Sequence, residues 1–182
     1  MGAESSRLRQ HATNVSNSDI EQLDLSQQAI TDLSLFQFSN AISMNNSLIA
    51  LRLSRNLIRD NGAISLASAI ANNTFLEHLD LSWNGIGSRG AIALAHALRD
   101  NRTLRRLNLF GNRIGDDGGM AFEYTVDTTP LSTPLERIDI GFNGIRQGLV
   151  DRLQRKLDAK RRSLNSIAGE SYSTLRPATA LA

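Results

Sequence analysis

Leucine and isoleucine recur along the chain in one fixed phase. Leu48, Leu51, Leu53, Asn56 and Ile58 form a pattern that returns 28 residues later as Leu76, Leu79, Leu81, Asn84 and Ile86. It returns after another 28 as Leu104, Leu107, Leu109, Asn112 and Ile114, and 31 later as Leu135, Ile138, Ile140, Asn143 and Ile145. Upstream, Ile20, Leu23, Leu25, Gln28 and Ile30 stand 28 before the first of these. Five units in one phase identify a repeat architecture. Each unit has two halves of different period. The alternation in Leu79-Asp80-Leu81 predicts a short strand with one buried face. The second half is helical: Ala91, Ile92, Leu94, Ala95 and Leu98 share one face, as do Ala63, Ile64, Leu66, Ala67 and Ile70. Gly62, Gly90 and Gly118 mark three helix entries. Asn73 and Asn101 fall where helices stop and are expected in left-handed or turn geometry.

After each strand the backbone turns inward, which buries polar main-chain groups. An asparagine amide offers donors and an acceptor on one side chain. Asn56, Asn84, Asn112 and Asn143 are therefore expected to form a structural ladder, with Gln28 marking an irregular end unit. Parallel strands stack at about 4.8 Å and helices at about 10 Å. The mismatch predicts an arc of α/β class, a solenoid horseshoe with a parallel sheet on its concave side and helices on its convex side. No unit buries its apolar face alone, so stability is expected at the junctions between neighbours.

These residues resemble the leucine-rich repeat family, specifically the ribonuclease-inhibitor-like class with its 28-residue unit. The resemblance runs from Ile20 to about Leu157. It implies a protein-binding arc; relatives include inhibitors, receptor sensors, Ran GTPase activators, actin-end cappers and parts of cilia. Fold does not choose among them.

Strand alternation turns the intervening residues toward the open face. Trp83, Phe110 and Phe142 are expected to cluster toward one end of that face, with Asp80, Asp139, Arg106, Arg137 and His78 around them. Arg52 and Arg55 make the earlier part basic. Aromatic anchors in a polar and arginine rim have the composition of a binding hot spot. The competing reading folds Trp83 and Phe142 over the edge as local packing.

The net charge is +2, too small for a dedicated nucleic-acid binder, but it is unevenly spread. Residues 148–182 carry seven basic and three acidic side chains, while residues 20–147 carry 11 basic and 13 acidic. Leu149, Val150, Leu153 and Leu157 stripe a last helix over about 147–162, read as a capping helix. Arg152, Arg155, Lys156, Lys160, Arg161 and Arg162 are expected on its outer side, a basic patch suited to an acidic surface such as tubulin. Residues 1–19 read as an arm or irregular cap, residues 20–162 as the repeat domain (units starting near 20, 48, 76, 104 and 135), and residues 163–182 as a tail. Met1-Gly2-Ala3-Glu4-Ser5-Ser6 fits the myristoylation pattern with Gly2 as acceptor, or is a chance match. The fourth helix is expected from Gly119 to about Thr129. Pro130 and Pro134 then end it and stiffen a loop, read as a tolerated insertion.

Catalysis is not expected. His78, Asp80 and Ser82 share a strand face, yet residues two apart on a strand are about 6.8 Å apart, and a nucleophile needs its base at about 3 Å. There is no cysteine, and His11, His78 and His96 are far apart in the array, so no metal or cofactor is expected. Asp116 and Asp117 are read as favouring their own helix N-terminus. Without a secretory or membrane-length apolar run, the chain is expected to be cytoplasmic. The reading is a non-catalytic adaptor or structural subunit of a larger assembly, with a ciliary or axonemal setting resting on family analogy. The alternatives are a GTPase activator presenting Arg59 or Arg89, an actin-capping-like regulator, and a myristoylated peripheral adaptor.

Overall fold

A computed structural model describes residues 20–130 and 133–173, with side chains placed as far as residue 164. The readings that fall on residues 1–19 (Gly2 among them), 131–132 and 174–182 lie outside the described residues. Strands and helices alternate strictly: β1 (Gln22–Asp24), α1 (Asp32–Met44), β2 (Ala50–Arg52), α2 (Asp60–Asn72), β3 (His78–Asp80), α3 (Ser88–Asp100), β4 (Arg106–Asn108), α4 (Gly115–Thr128), β5 (Arg137–Asp139) and α5 (Gln147–Ser173). The strands form one parallel sheet in the order β1-β2-β3-β4-β5. Their register pairs Leu23 with Leu51, Leu51 with Leu79, Leu79 with Leu107 and Leu107 with Ile138. The 28-residue phase in sequence is thus the lateral step of the sheet.

The leucines and isoleucines of the motif build one continuous core between sheet and helices, from Leu25 and Ile30 to Leu153 and Leu157. Ala63, Leu66, Ala67 and Ile70 of α2 and Ala91, Leu94, Ala95 and Leu98 of α3 point into it. Ile64 does not: it is exposed on the helix surface, because the inward face is narrower than the sequence pattern. The helices pack closely where glycine permits. A Cβ at Gly90 would stand 2.8 Å from the Ala63 Cβ on α2, so a larger residue there would push two neighbouring units apart.

Side-chain ladders staple unit to unit. Asn56 Nδ2 donates to the carbonyls of Leu25, one unit back, and Leu53, while its Oδ1 accepts from the N–H groups of Gln28 and Ile30. Asn84, Asn112 and Asn143 repeat this, donating back to Leu53, Leu81 and Leu109 respectively. A second ladder stands at the helix ends. Asn73 Nδ2 donates to the carbonyls of Ile42 and Asn45, and Asn101 Nδ2 to those of Ile70 and Asn73. Their backbones are extended, with φ −77° and −67°, which corrects the left-handed expectation. These asparagines serve the neighbouring unit through their side chains. A third set caps helices across units: Asp60 Oδ1 accepts from the N–H groups of Gly87 and Gly90 at the start of α3, and Asp116 Oδ1 from that of Arg146 before α5. Asp116 and Asp117 stand in the first turn of α4, as expected, and Asp116 also caps the following unit.

Two boundaries differ from the sequence reading. Helix α4 starts at Gly115, a turn before Gly119. Helix α5 continues past residue 162 to Ser173. Its residues Leu149, Leu153 and Leu157 are buried against the last unit.

Candidate functional site

In each unit the residue just before the ladder asparagine takes a left-handed backbone. Gln27, Arg55, Trp83, Gly111 and Phe142 have φ of 59°, 56°, 54°, 71° and 58°. This bend turns the chain from strand to helix, and in these units it throws the side chain outward from the core. For a bulky residue the conformation is strained. Trp83 and Phe142 both occupy it, 44% and 77% exposed.

Phe110 stands between them, half-buried. The Trp83 and Phe110 rings meet edge to face with centroids 5.5 Å apart, Phe110 and Phe142 stack at 5.9 Å, and Trp83 and Phe142 lie 6.1 Å apart. Two glycines make room. A Cβ on Gly111 would lie 2.8 Å from the Trp83 ring, and one on Gly141 3.0 Å from the Phe110 ring. Trp83 and Phe110 thus each rest on a glycine of the next unit. The Arg55 guanidinium lies 5.7 Å from the Trp83 ring centroid, within cation–π range.

The charged residues expected around the rings form a second surface. Arg52, His78, Asp80, Arg106, Asn108, Arg137 and Asp139 line a shallow groove over the middle of the sheet. The ridge lies beside it, at the strand-to-helix bends. The two surfaces meet at Gly141, where a Cβ would lie 3.0 Å from the Phe110 ring and 3.4 Å from Asp139 Oδ1. Several groove charges are already engaged. Asp80 Oδ1 accepts the Ser82 N–H and Asp139 Oδ1 that of Gly141, closing turns at the strand ends. Arg137 pairs with Asp139 at 3.3 Å, and Arg106 is 3.8 Å from Glu136. Arg105 bridges Glu77 and Glu136 along the groove edge. Among the described residues the His78 Nδ1 is buried without a hydrogen-bond partner. Among the described residues no three His, Cys, Asp or Glu side chains gather to hold a metal ion.

The basic C-terminal patch is corrected by the structure. Lys160 is only 5% exposed, and its Nζ donates to the Thr129 carbonyl and hydroxyl at the end of α4. Burial, and then the charge of Arg102, lowers its pKa. Arg152 and Lys156 pair with Glu123 at 3.0 Å each, and Lys156 also with Asp127. Arg155, Arg161 and Arg162 are exposed. Half of the expected patch therefore binds α5 to α4. The hydrogen bond from Arg152, followed by that from Lys156, lowers the Glu123 pKa.

A family model described as a leucine-rich repeat matches residues 45–67, 72–95 and 100–122, which are the three central units. These three units are leucine-rich repeats. At 18% identity and a TM-score of 0.78 it is similar to a solved structure titled Leiomodin-1 Actin-Binding Site 2, covering 97% of this chain and 99% of that one. A Caenorhabditis elegans tropomodulin C-terminal domain matches at 14% identity and a TM-score of 0.70, over 91% of this chain and 96% of that one. No curated protein matches by sequence. These structural likenesses concern the repeat fold. No helix among the described residues is long and apolar enough to cross a membrane.

Proposed function

We propose that this repeat arc is a non-catalytic protein-binding module whose contact is centred on the ridge of Trp83, Phe110 and Phe142. The observation that carries the reading is the pair of exposed aromatic rings held on left-handed backbone. Folding alone favours glycine or a small polar residue there. A tryptophan and a phenylalanine on that bend, touching a third ring, spend stability on a surface. Aromatic side chains packed together and rimmed by arginine are the usual anchors of protein interfaces. The groove beside the ridge, with Arg52, His78, Arg106 and Arg137, supplies polar contacts.

The test places a photo-crosslinking residue at position 83 or, as a control, at the exposed position 96 of α3. A partner captured from position 83 and lost when Phe110 and Phe142 are replaced by alanine supports the ridge. Equal capture from both positions refutes it. Phe142→Gly separates binding from folding. It relieves the left-handed backbone and leaves the melting temperature no lower, while binding weakens by about 2 kcal/mol.

A cytoskeletal partner is the reading taken further. Actin is favoured by the end-to-end match of the arc to a leiomodin domain whose title names an actin-binding site. Tubulin, in a ciliary or axonemal assembly, rests on the exposed Arg155, Arg161 and Arg162. Co-sedimentation with actin filaments and with microtubules separates them.

A further inference from the structure

Beside Trp83, the bends of three successive units line an open hollow. Leu57, Arg59, Trp83, Gly85 and Arg113 line it, together with the ladder residues Asn56 and Asn84. It exists because of one missing side chain. Leu57, Gly85 and Arg113 hold the same place in units two, three and four. Gly85 leaves a gap between a leucine wall and an arginine wall. Its backbone is not left-handed, so the turn itself does not require glycine there. A Cβ added to it would meet only the Arg59 Cγ at 3.3 Å and the Ile58 carbonyl at 3.5 Å.

The chemistry of the walls is one-sided. Leu57 and Trp83 are exposed apolar surfaces. Arg59 and Arg113 are exposed and share the hollow with Trp83, and the Arg55 guanidinium lies 5.7 Å from the Trp83 ring centroid. No carboxylate lines the hollow. None of these three arginines forms an ion pair among the described residues, whereas Arg105, Arg137, Arg146 and Arg152 all do. Two acids of the neighbouring units are otherwise engaged: Asp32 Oδ1 accepts the Arg59 N–H, and Asp60 Oδ1 accepts those of Gly87 and Gly90. Residues 1–19 are balanced in charge, and residues 163–182 hold one glutamate and one arginine.

We propose that this hollow receives an acidic peptide segment of a partner protein, with an aliphatic side chain seated over Gly85 between Leu57 and Trp83 and carboxylates paired with Arg59 and Arg113. The proposal rests on the ridge reading and names the partner element that reading lacks. Electrostatic complementarity here selects the partner and speeds encounter, so the interaction weakens with salt.

Trp83 is the single tryptophan of the chain, so its emission reports on this place alone. The probe is a short synthetic peptide with one leucine flanked by glutamates; its control replaces the glutamates by lysines. The expected result is a saturable emission change with the acidic peptide, weakened by salt and absent with the basic one. The double variant Arg59→Ala, Arg113→Ala should weaken that binding by about tenfold or more. Gly85→Leu fills the gap without changing charge and should weaken it similarly with the melting temperature unchanged. Equal binding of both peptides, or acidic binding indifferent to Arg59, Arg113 and Gly85, overturns the proposal. If in that case Phe110→Ala with Phe142→Ala still abolishes peptide binding, the ridge reading stands alone. No emission change with either peptide overturns the acidic-segment proposal outright.

Discussion

The two ends of the arc solve the same problem differently. A repeat cannot cover its own apolar side, so the last one at each end leaves a raw edge. At the C-terminal end α5 lies across β5 and α4. It buries Leu149, Leu153 and Leu157, seats Lys160 on the last turn of α4, and pairs Arg152 and Lys156 with Glu123. At the N-terminal edge of the described residues the first unit is bare. Leu33 and Phe36 on α1 are 69% and 66% exposed, and Leu23 is only half-buried although Leu51, Leu79 and Leu107 in its register are fully covered. A cap is therefore a set of specific cross-unit contacts, and residue type alone does not confer it. Both edges carry apolar side chains, but among the described residues only the C-terminal one has a partner element on top of them.

The contrast is sharpest at Leu153. Truncation to alanine should lower unfolding free energy by about 2–5 kcal/mol, read by urea denaturation, because the cavity opens under a close-packed lid. Next in size is Lys160→Ala. It removes the cation and donor that serve the Thr129 carbonyl at the helix C-terminus, at a cost of about 1–3 kcal/mol. Amide exchange should quicken at the end of α4 while β1 to β3 keep their protection. If exchange instead quickens along the whole sheet, the cap is not local.

Acid gives a smaller effect at the same junction. Glu123 has its pKa lowered in the fold, by the bond from Arg152 first. A depressed carboxylate contributes stability that is present above its unfolded pKa and lost as pH falls through the folded one. Melting temperature should therefore drop as pH is taken down through and below the ordinary glutamate range, and Glu123→Gln should flatten that drop. The smallest effect is expected at the open end. Leu33→Ser with Phe36→Ser should change stability by no more than about 0.5 kcal/mol, since neither ring nor chain is covered. A loss as large as that at Leu153 would mean that α1 is covered after all.

The sequence was legible where a residue answers to its own unit. The spacing of Leu79, Leu81, Asn84 and Ile86 specifies strand, turn and helix within one coil, and its recurrence specifies the stacking. Trp83, Phe110 and Phe142 could be placed together because lateral neighbours are whole units apart. Sequence reasoning failed where a side chain answers to the next unit. Asn73 and Asn101 do end their helices, but on extended backbone, and their donation across to Asn45 and Asn73 was not foreseen. Lys160 looked like an outer charge, yet a lysine at that turn of α5 reaches Thr129, where α4 ends without the asparagine of earlier units. Leu57, Arg59 and Arg113 were not gathered into a site. The signal that could have found them is the glycine at 85, a gap in an otherwise filled row.

The chain by itself determined the repeat, the parallel register, the asparagine posts and the outward aromatic row, because each follows from local period and from the chemistry of a buried turn. Only the tertiary structure decided which charges are free and which are tied, and that the bends divide the exposed residues into a groove, a ridge and a hollow. Those depend on the offset between consecutive coils, a distance of a few ångströms that no spacing along one coil encodes.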